Sequence, residues 1–169
     1  MGVGEGDVEA RVRAVLAAVG VAPGVRAHGP VVGVESAAAA RGLPAAAGGK
    51  ALVMKLEGRG PCVVALRGDR ALDGPSLRRS LGVGRYRFAR PDELAAWTGC
   101  APGTVPPFGP GVFPGVALVA DESLRGGGVL AFTPGVADRS FLVDAADWAA
   151  AVGAAGPVVW AALSRPLGG

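Results

Sequence analysis

The stretch Thr98-Gly-Cys-Ala-Pro-Gly-Thr-Val-Pro-Pro-Phe-Gly109 decides how this chain is read. Pro102, Pro106 and Pro107 each lock φ and remove a backbone N–H, while Gly103 opens backbone geometry that other residues avoid. A segment this rich in Gly and Pro is neither a helix interior nor a central strand. It predicts a stiff, shaped loop with its main-chain groups held at set angles. Such a loop can press its backbone against a small ligand and exclude anything larger. A rigid connection between two elements is the alternative reading of the same residues.

Working outward, Pro91 opens a helix as a favourable first residue, with Asp92 and Glu93 in the first turn, and this helix runs to about Trp97 and into the loop. Beyond the loop, Gly115 to Ala120 is an apolar strand ending at Asp121. Residues 129–133 and 139–143 read as a strand pair around Pro134-Gly135, and Asp144 caps a helix through Trp148 and Val152. Val158 to Trp160 forms a further strand in the tail. Toward the N-terminus, Lys50–Leu56 and Cys62–Leu66 make a hairpin about the turn Glu57–Gly60. Asp73 caps a helix through Leu77 and Leu81 that stops at Gly82, and Arg85 to Phe88 alternates as a strand. Residues 7–19 carry Val8, Val12, Val15, Leu16 and Val19 at helical spacing, with Asp7 as N-cap and Gly20 as the stop. Residues 24–28 are a short strand ending near His28, and Glu35–Arg41 is an Ala-rich helix ending at Gly42. Helices and strands mix without regular βαβ alternation, so the expected class is a mixed α/β (α+β) domain rather than a doubly wound sheet.

With 169 residues the chain is expected to form one domain, residues 1–169, with a single sizeable core. No apolar run reaches the length of a membrane span, and no basic region followed by an apolar core opens the chain, so a cytoplasmic location and no membrane partner are expected. Cys62 and Cys100 do not make a disulfide framework and read as buried thiols. One histidine and no Cys-x-x-Cys motif argue against a metal site, and nothing calls for a cofactor. A formal charge of +3 permits a nucleic-acid partner without requiring one. The positive charge is almost all arginine; the two lysines are Lys50 and Lys55. Strand alternation turns them to opposite faces. Lys55 sits by the hairpin turn as a solvated strand end. Lys50 opens its strand on an apolar face just after Gly48-Gly49, either as a site residue or as a solvated strand end itself.

No Gly-x-Ser-x-Gly elbow, P-loop or dinucleotide fingerprint is present. What stands together is Lys50-Ala-Leu-Val-Met, then Gly68-Asp69-Arg70, Arg90-Pro91-Asp92-Glu93-Leu94, Thr98-Gly99, Gly103-Thr104-Val105-Pro106-Pro107-Phe108-Gly109, and Val119-Ala120-Asp121-Glu122-Ser123. In this order and spacing the chain resembles the YbaK/ProRS-type editing domains, a family of aminoacyl-tRNA deacylases, from the first helix to Trp148. The resemblance implies a mixed barrel-like sheet surrounded by helices, with a pocket beside the Gly-x-x-x-Pro loop. It implies that Lys50 supports catalysis or holds the tRNA acceptor end. Gly103 with Thr104, Val105, Pro106, Pro107 and Phe108 would place the aminoacyl ester by backbone contacts, and Asp121 matches an acidic family position. Thr133 falls where relatives carry a small or hydroxyl residue, and His28 falls near a position at the end of an early strand. Read from the residues alone, Asp121 is equally a turn former or helix cap, and His28 a structural or site-lining imidazole. Val136-Ala137-Asp138 departs from the basic-Gly pair of many relatives.

An aminoacyl ester is already activated, so its hydrolysis needs positioning and charge stabilisation more than a strong nucleophile. Loop amides can stabilise an oxyanion, and the resemblance implies help from the substrate's own ribose hydroxyl. The expected activity is therefore trans-editing hydrolysis of mischarged aminoacyl-tRNA, with Ala- or Cys-tRNA(Pro) as substrate, the acceptor end of aminoacyl-tRNA as partner and prolyl-tRNA synthetase as a second partner. A non-catalytic tRNA- or synthetase-binding module of the same fold, and a hydrolase of other small acyl esters, are the alternatives. The modest charge predicts weak, salt-sensitive tRNA affinity.

Overall fold

A computed structural model describes residues 5–31 and 33–168. Its centre is a five-stranded sheet in the order β5-β2-β3-β6-β9 (Tyr86–Phe88, Gly49–Leu56, Gly60–Arg67, Ala117–Asp121, Val158–Ala161). β2 and β3 are the expected hairpin, β5 pairs antiparallel with β2, and β6 and β9 add in parallel. The run Cys62-Val-Val-Ala-Leu66 is fully buried because both faces of β3 are covered, which is why it shows no polar alternation. Val63 and Ala65 face the larger core with Val53, Leu118 and Ala120. Cys62, Val64 and Leu66 face a second core with Met54, Leu56, Val119 and Leu163.

Helices close both faces. α1 (Glu5–Ala17) and α5 (Ala145–Ala155) cover the larger core with Val8, Val12, Val15 and Leu16 and with Trp148, Ala151 and Val152. α3 (Gly74–Leu81) covers the other face with Leu77 and Leu81, its N-terminus capped by the Asp73 carboxylate, which accepts from the Ser76 N–H. α1 starts at Glu5, so Asp7 lies inside its first turns instead of capping it; there it still faces the positive end of the helix dipole. The helix gives way after Ala17 to a turn in which Gly20 takes φ +77°.

A second sheet, β1-β8-β7 (Gly24–Ala27, Arg139–Asp144, Val129–Phe132), is wholly antiparallel. A two-stranded sheet pairs β4 (Arg70–Leu72) with β10 (Ser164–Pro166), neither of which the pattern of the sequence announces. The sheets do not close into a barrel. The link between the first two is an isolated bridge from Gly48 to Ala131, and closure requires a continuous ladder. The expected class, mixed α/β with helices around the sheet, stands, with open sheets in place of a barrel.

The Gly/Pro loop is fastened from behind. α4 (Pro91–Thr98) delivers the chain into it, and Glu93 locks that helix to β5: its carboxylate accepts from both terminal nitrogens of Arg87 at 2.6 and 2.9 Å and from the Arg90 N–H at 3.0 Å. Phe108 is fully buried, its ring edge-on to Phe132 with centroids 5.3 Å apart. The Trp148 indole N–H donates to the Pro107 carbonyl at 2.9 Å. Gly109 then passes so close to β6 that an added Cβ would stand 2.7 Å from Leu118 Cβ and 2.9 Å from its backbone nitrogen.

Two expectations follow. Gly109→Ala should destabilise the fold by about 1–3 kcal/mol through overpacking against immovable backbone, read as a lower urea midpoint at unchanged slope. The Arg87 hydrogen bonds, with the Arg90 N–H second, hold Glu93 at about 2 instead of the ordinary 4.5. A depressed carboxylate contributes stability that is complete above the unfolded value and lost as pH falls toward the folded one. NMR titration should place the Glu93 carboxyl midpoint near 2, and Arg87→Gln should raise it; an ordinary midpoint in both proteins would contradict the clamp.

Candidate active site

One end of the central sheet opens onto a cavity of about 170 Å³. Several pieces of chain wall it, Gly68 among them. α2 (Val34–Arg41) supplies Val34, Ala37 and Arg41; the start of β2 supplies Gly48 to Ala51; the Gly/Pro loop supplies Gly103 and Val105; and Thr133 follows β7. α2 forms because its Ala run has high helix propensity, and it stops where Gly42 takes the left-handed conformation. The floor is held by the Gly68 N–H, which donates to the Gly48 carbonyl at 2.7 Å.

The loop presents fewer amides than its length suggests. The Thr104 N–H donates to the Ala101 carbonyl at 3.1 Å, and the Phe108 N–H to the Pro106 carbonyl at 2.8 Å. Pro106 and Pro107 have no N–H to offer. Of the loop amides without a hydrogen-bond partner among the described residues, those of Gly103 and Val105 belong to residues that line the cavity. Gly103 takes φ +82°, a conformation that disfavours any side chain. Thr133 pins the loop from across the cavity, its hydroxyl donating to the Gly103 carbonyl at 3.4 Å, and the Gly135 N–H donates to the Thr104 carbonyl at 3.0 Å.

Lys50 lines the same cavity, and its ammonium donates to the Arg70 carbonyl. Burial lowers its pKa from the ordinary lysine value, and the charge of Asp69 opposes that shift. Asp69 is itself held by Arg67 at 2.5 and 2.9 Å. Among the described residues the cavity wall carries two cations, Lys50 and Arg41, and no carboxylate.

The structure therefore brings together Lys50, Gly103, Val105 and Thr133. Thr104, Pro106, Pro107 and Phe108 are buried behind the wall and shape the loop from within. His28 lies at the end of β1, outside the lining. Its Nδ1 sits 2.7 Å from the Gly29 carbonyl, which can only accept, so Nδ1 carries a proton. Its Nε2 is 2.8 Å from the Ser140 hydroxyl, which also accepts from Arg41 Nε at 2.8 Å. Asp121 is 2 % exposed and away from the cavity. Its carboxylate accepts from the Leu163 N–H at 2.7 Å, the Ser164 hydroxyl at 2.6 Å and the Ser123 N–H at 3.2 Å. It ties the start of β10 to the end of β6 and caps the 3-10 turn Glu122–Arg125, in line with the cap reading.

Sequence reasoning passed over Arg41 and Ser140. Arg41 ends an Ala-rich helix, where a basic residue reads as a partner of the helix dipole. What sets it apart is its approach to Gly48 across the cavity, and that packing is tertiary.

Comparison with known proteins follows the same outline. The family model described as the aminoacyl-tRNA editing domain matches residues 28–151. The multifunctional Ser/Thr-tRNA deacylase ProXp-y of Escherichia coli strain K12 is 33% identical over 142 residues, covering 82% of this chain and 84% of that protein. A proline--tRNA ligase of Nitratidesulfovibrio vulgaris is 35% identical over 94 residues, 55% of this chain and 16% of the ligase. Among solved structures, a candidate trans-editing enzyme for prolyl tRNA synthetase superposes with a TM-score of 0.74 at 26% identity, covering 94% of this chain and 97% of that one. A hypothetical protein superposes with a TM-score of 0.78 at 25% identity over 92% and 99% of the two chains.

Asp121→Ala removes three hydrogen bonds and leaves the buried Leu163 N–H without its acceptor. It should cost on the order of 3 kcal/mol of stability, measured by urea unfolding. Small-ligand affinity at the cavity, measured on the folded protein, should stay as in the parent; an affinity loss with unchanged stability would place Asp121 at the site instead.

Proposed function

The chain belongs to the aminoacyl-tRNA editing-domain family, and from that premise we propose that it hydrolyses the ester joining a small amino acid to the 3′ end of a mischarged tRNA. The observation that carries this reading is the pairing, across one small cavity, of two unpartnered loop amides with a lysine. Water attacks the ester carbonyl carbon. The Gly103 and Val105 N–H groups receive the developing oxyanion, where donors fixed in advance lower the barrier most. Collapse breaks the bond to the ribose oxygen, which takes up a proton, and releases free amino acid and deacylated tRNA. Among the described residues the cavity wall offers no Asp, Glu or His as general base, so the water is assigned to the substrate's neighbouring ribose hydroxyl. The Lys50 ammonium balances negative charge at the ester end. Asp121 and His28 are given structural roles in this scheme.

Serine and threonine are the favoured amino acids. The Thr133 hydroxyl donates to Gly103 and so keeps its lone pairs for a substrate hydroxyl. The relative that shares most of its length with this chain is named for Ser/Thr-tRNA. Alanine and cysteine on tRNA(Pro) form the second reading, favoured by the apolar walls of Val31, Val34, Ala37 and Val105 and by likeness to a candidate editing enzyme for prolyl tRNA synthetase. Action in trans, on tRNA released by or handed over from prolyl-tRNA synthetase, belongs to the same proposal. It is supported by a match that spans most of the Ser/Thr-tRNA deacylase but only a small part of the ligase.

The test is single-turnover deacylation of Ser-, Thr-, Ala-, Cys- and Pro-tRNA. Ser- or Thr-tRNA should be cleared with Pro-tRNA(Pro) spared, and Lys50→Ala should slow the reaction about 100-fold, the scale of losing one electrostatic stabiliser. Thr133→Val should slow Ser- and Thr-tRNA about tenfold or more while leaving Ala-tRNA nearly unchanged, because a site built for a hydroxyl discriminates through it. Equal losses on all substrates would remove Thr133 from specificity. A folded protein inert on all five would overturn the deacylase reading.

A further inference from the structure

Arg41 is a buried guanidinium with one bond to the protein. It is 7 % exposed, lies on the cavity side of α2, and its Nε donates to Ser140 at 2.8 Å. Its two terminal nitrogens have no hydrogen-bond partner among the described residues, and no carboxylate pairs with it. They are not sealed in the interior either, and Arg41 is one of the residues that line the cavity. One of them rests against Gly48, 3.4 Å from where a side chain there would begin. Burial pulls the group below its ordinary pKa. A buried cation without an anion is costly, and a structure keeps one where a ligand supplies the missing charge.

We propose that the Arg41 fork binds a phosphodiester of the tRNA acceptor end, the one on the 5′ side of the terminal adenosine, while the ester lies against Gly103 and Val105. This rests on the deacylase reading. Three features favour phosphate over the transient oxyanion. The two free nitrogens form a planar fork matched to two phosphate oxygens, whereas the oxyanion is a single atom already provided with two loop amides. The exposed Arg26 donates to the Arg41 carbonyl, so a second cation stands on the solvent side, where a strand of phosphates would enter. Among the described residues the cavity wall holds no carboxylate that would repel an anion. Arg41 is thus a binding residue that sets where the ester comes to rest. The Ser140 hydroxyl, held between Arg41 and His28, fixes the angle of the fork.

The experiment uses 3′-amino-3′-deoxyadenosine carrying serine in amide linkage, made with and without a 5′-phosphate, and compares dissociation constants by calorimetry. The parent protein should bind the phosphorylated probe roughly tenfold or more tightly, the scale of a hydrogen bond to a charged group. Arg41→Gln should lose that increment and keep its affinity for the phosphate-free probe. Arg41→Lys, which preserves the charge and protects against misfolding, should retain part of it. An increment unchanged in Arg41→Gln, or equal losses for both probes, would overturn the assignment and leave Arg41 as a wall residue. A surviving increment in a protein that deacylates no aminoacyl-tRNA would uphold the phosphate site and sink the deacylase reading alone. Failure of the parent to distinguish the two probes would sink the phosphate site alone if deacylation proceeds.

Discussion

Everything at the cavity depends on a loop that has no ladder of its own. A helix or strand holds its backbone amides in place by pairing them, and amides so paired are closed to a ligand. The Gly/Pro loop does the opposite: it leaves the Gly103 and Val105 N–H groups without a partner among the described residues and must therefore be rigid for other reasons. Proline removes freedom within it. From outside, the buried Phe108 ring, the Trp148 indole on the Pro107 carbonyl, and Gly109 pressed on Leu118 fasten its far side to the core. The residues after Gly103 that do not line the cavity are thus the ones that make its lining usable.

The charge of the cavity is one-sided. Lys50 and Arg41 both reach it, and Asp69, the nearest acid to Lys50 in effect, is engaged by Arg67. A site with cations and, among the described residues, no carboxylate is suited to the anionic backbone of a nucleic acid more than to the ammonium of a free amino acid. Phosphate contacts position a nucleic acid without reading its sequence. Discrimination among amino acids would then fall to the small apolar wall and the Thr133 hydroxyl.

A hydrogen-bond chain runs from Gly29 through His28 and Ser140 to Arg41, and it joins the end of β1, the second sheet and α2. With Nδ1 protonated, the Ser140 hydroxyl gives its proton to Nε2 and accepts from Arg41, so in the neutral imidazole each hydrogen is used once. The lone histidine, which in a sequence invites thoughts of base catalysis, is here bonded to the serine that holds an arginine.

Much of the framework was legible in the residues themselves. The β2–β3 hairpin, α3 between Asp73 and Gly82, and α5 from Asp144 follow from period, cap and stop signals, all of which act within a few residues. The stiffness of the Gly103–Pro107 loop follows likewise from the covalent limits of Pro and Gly. Lys50 stood out beside Gly48-Gly49, but its place at a site, like that of Thr133, was named through the resemblance to the editing domains. What the sequence could not state were matters of register and approach between distant segments. β4 and β10 are three residues each and pair where Asp121 and Arg70 hold Ser164, opposite Leu72. The same distance in sequence hid Asp121's buried role, the withdrawal of Phe108 into the core, and the turning of Arg41 inward onto Ser140, 99 positions away. Local chemistry determines which elements form, because its interactions close over short loops. Only the packed chain decides which charged group loses its water and which amide keeps its freedom, because those depend on neighbours that folding alone brings together.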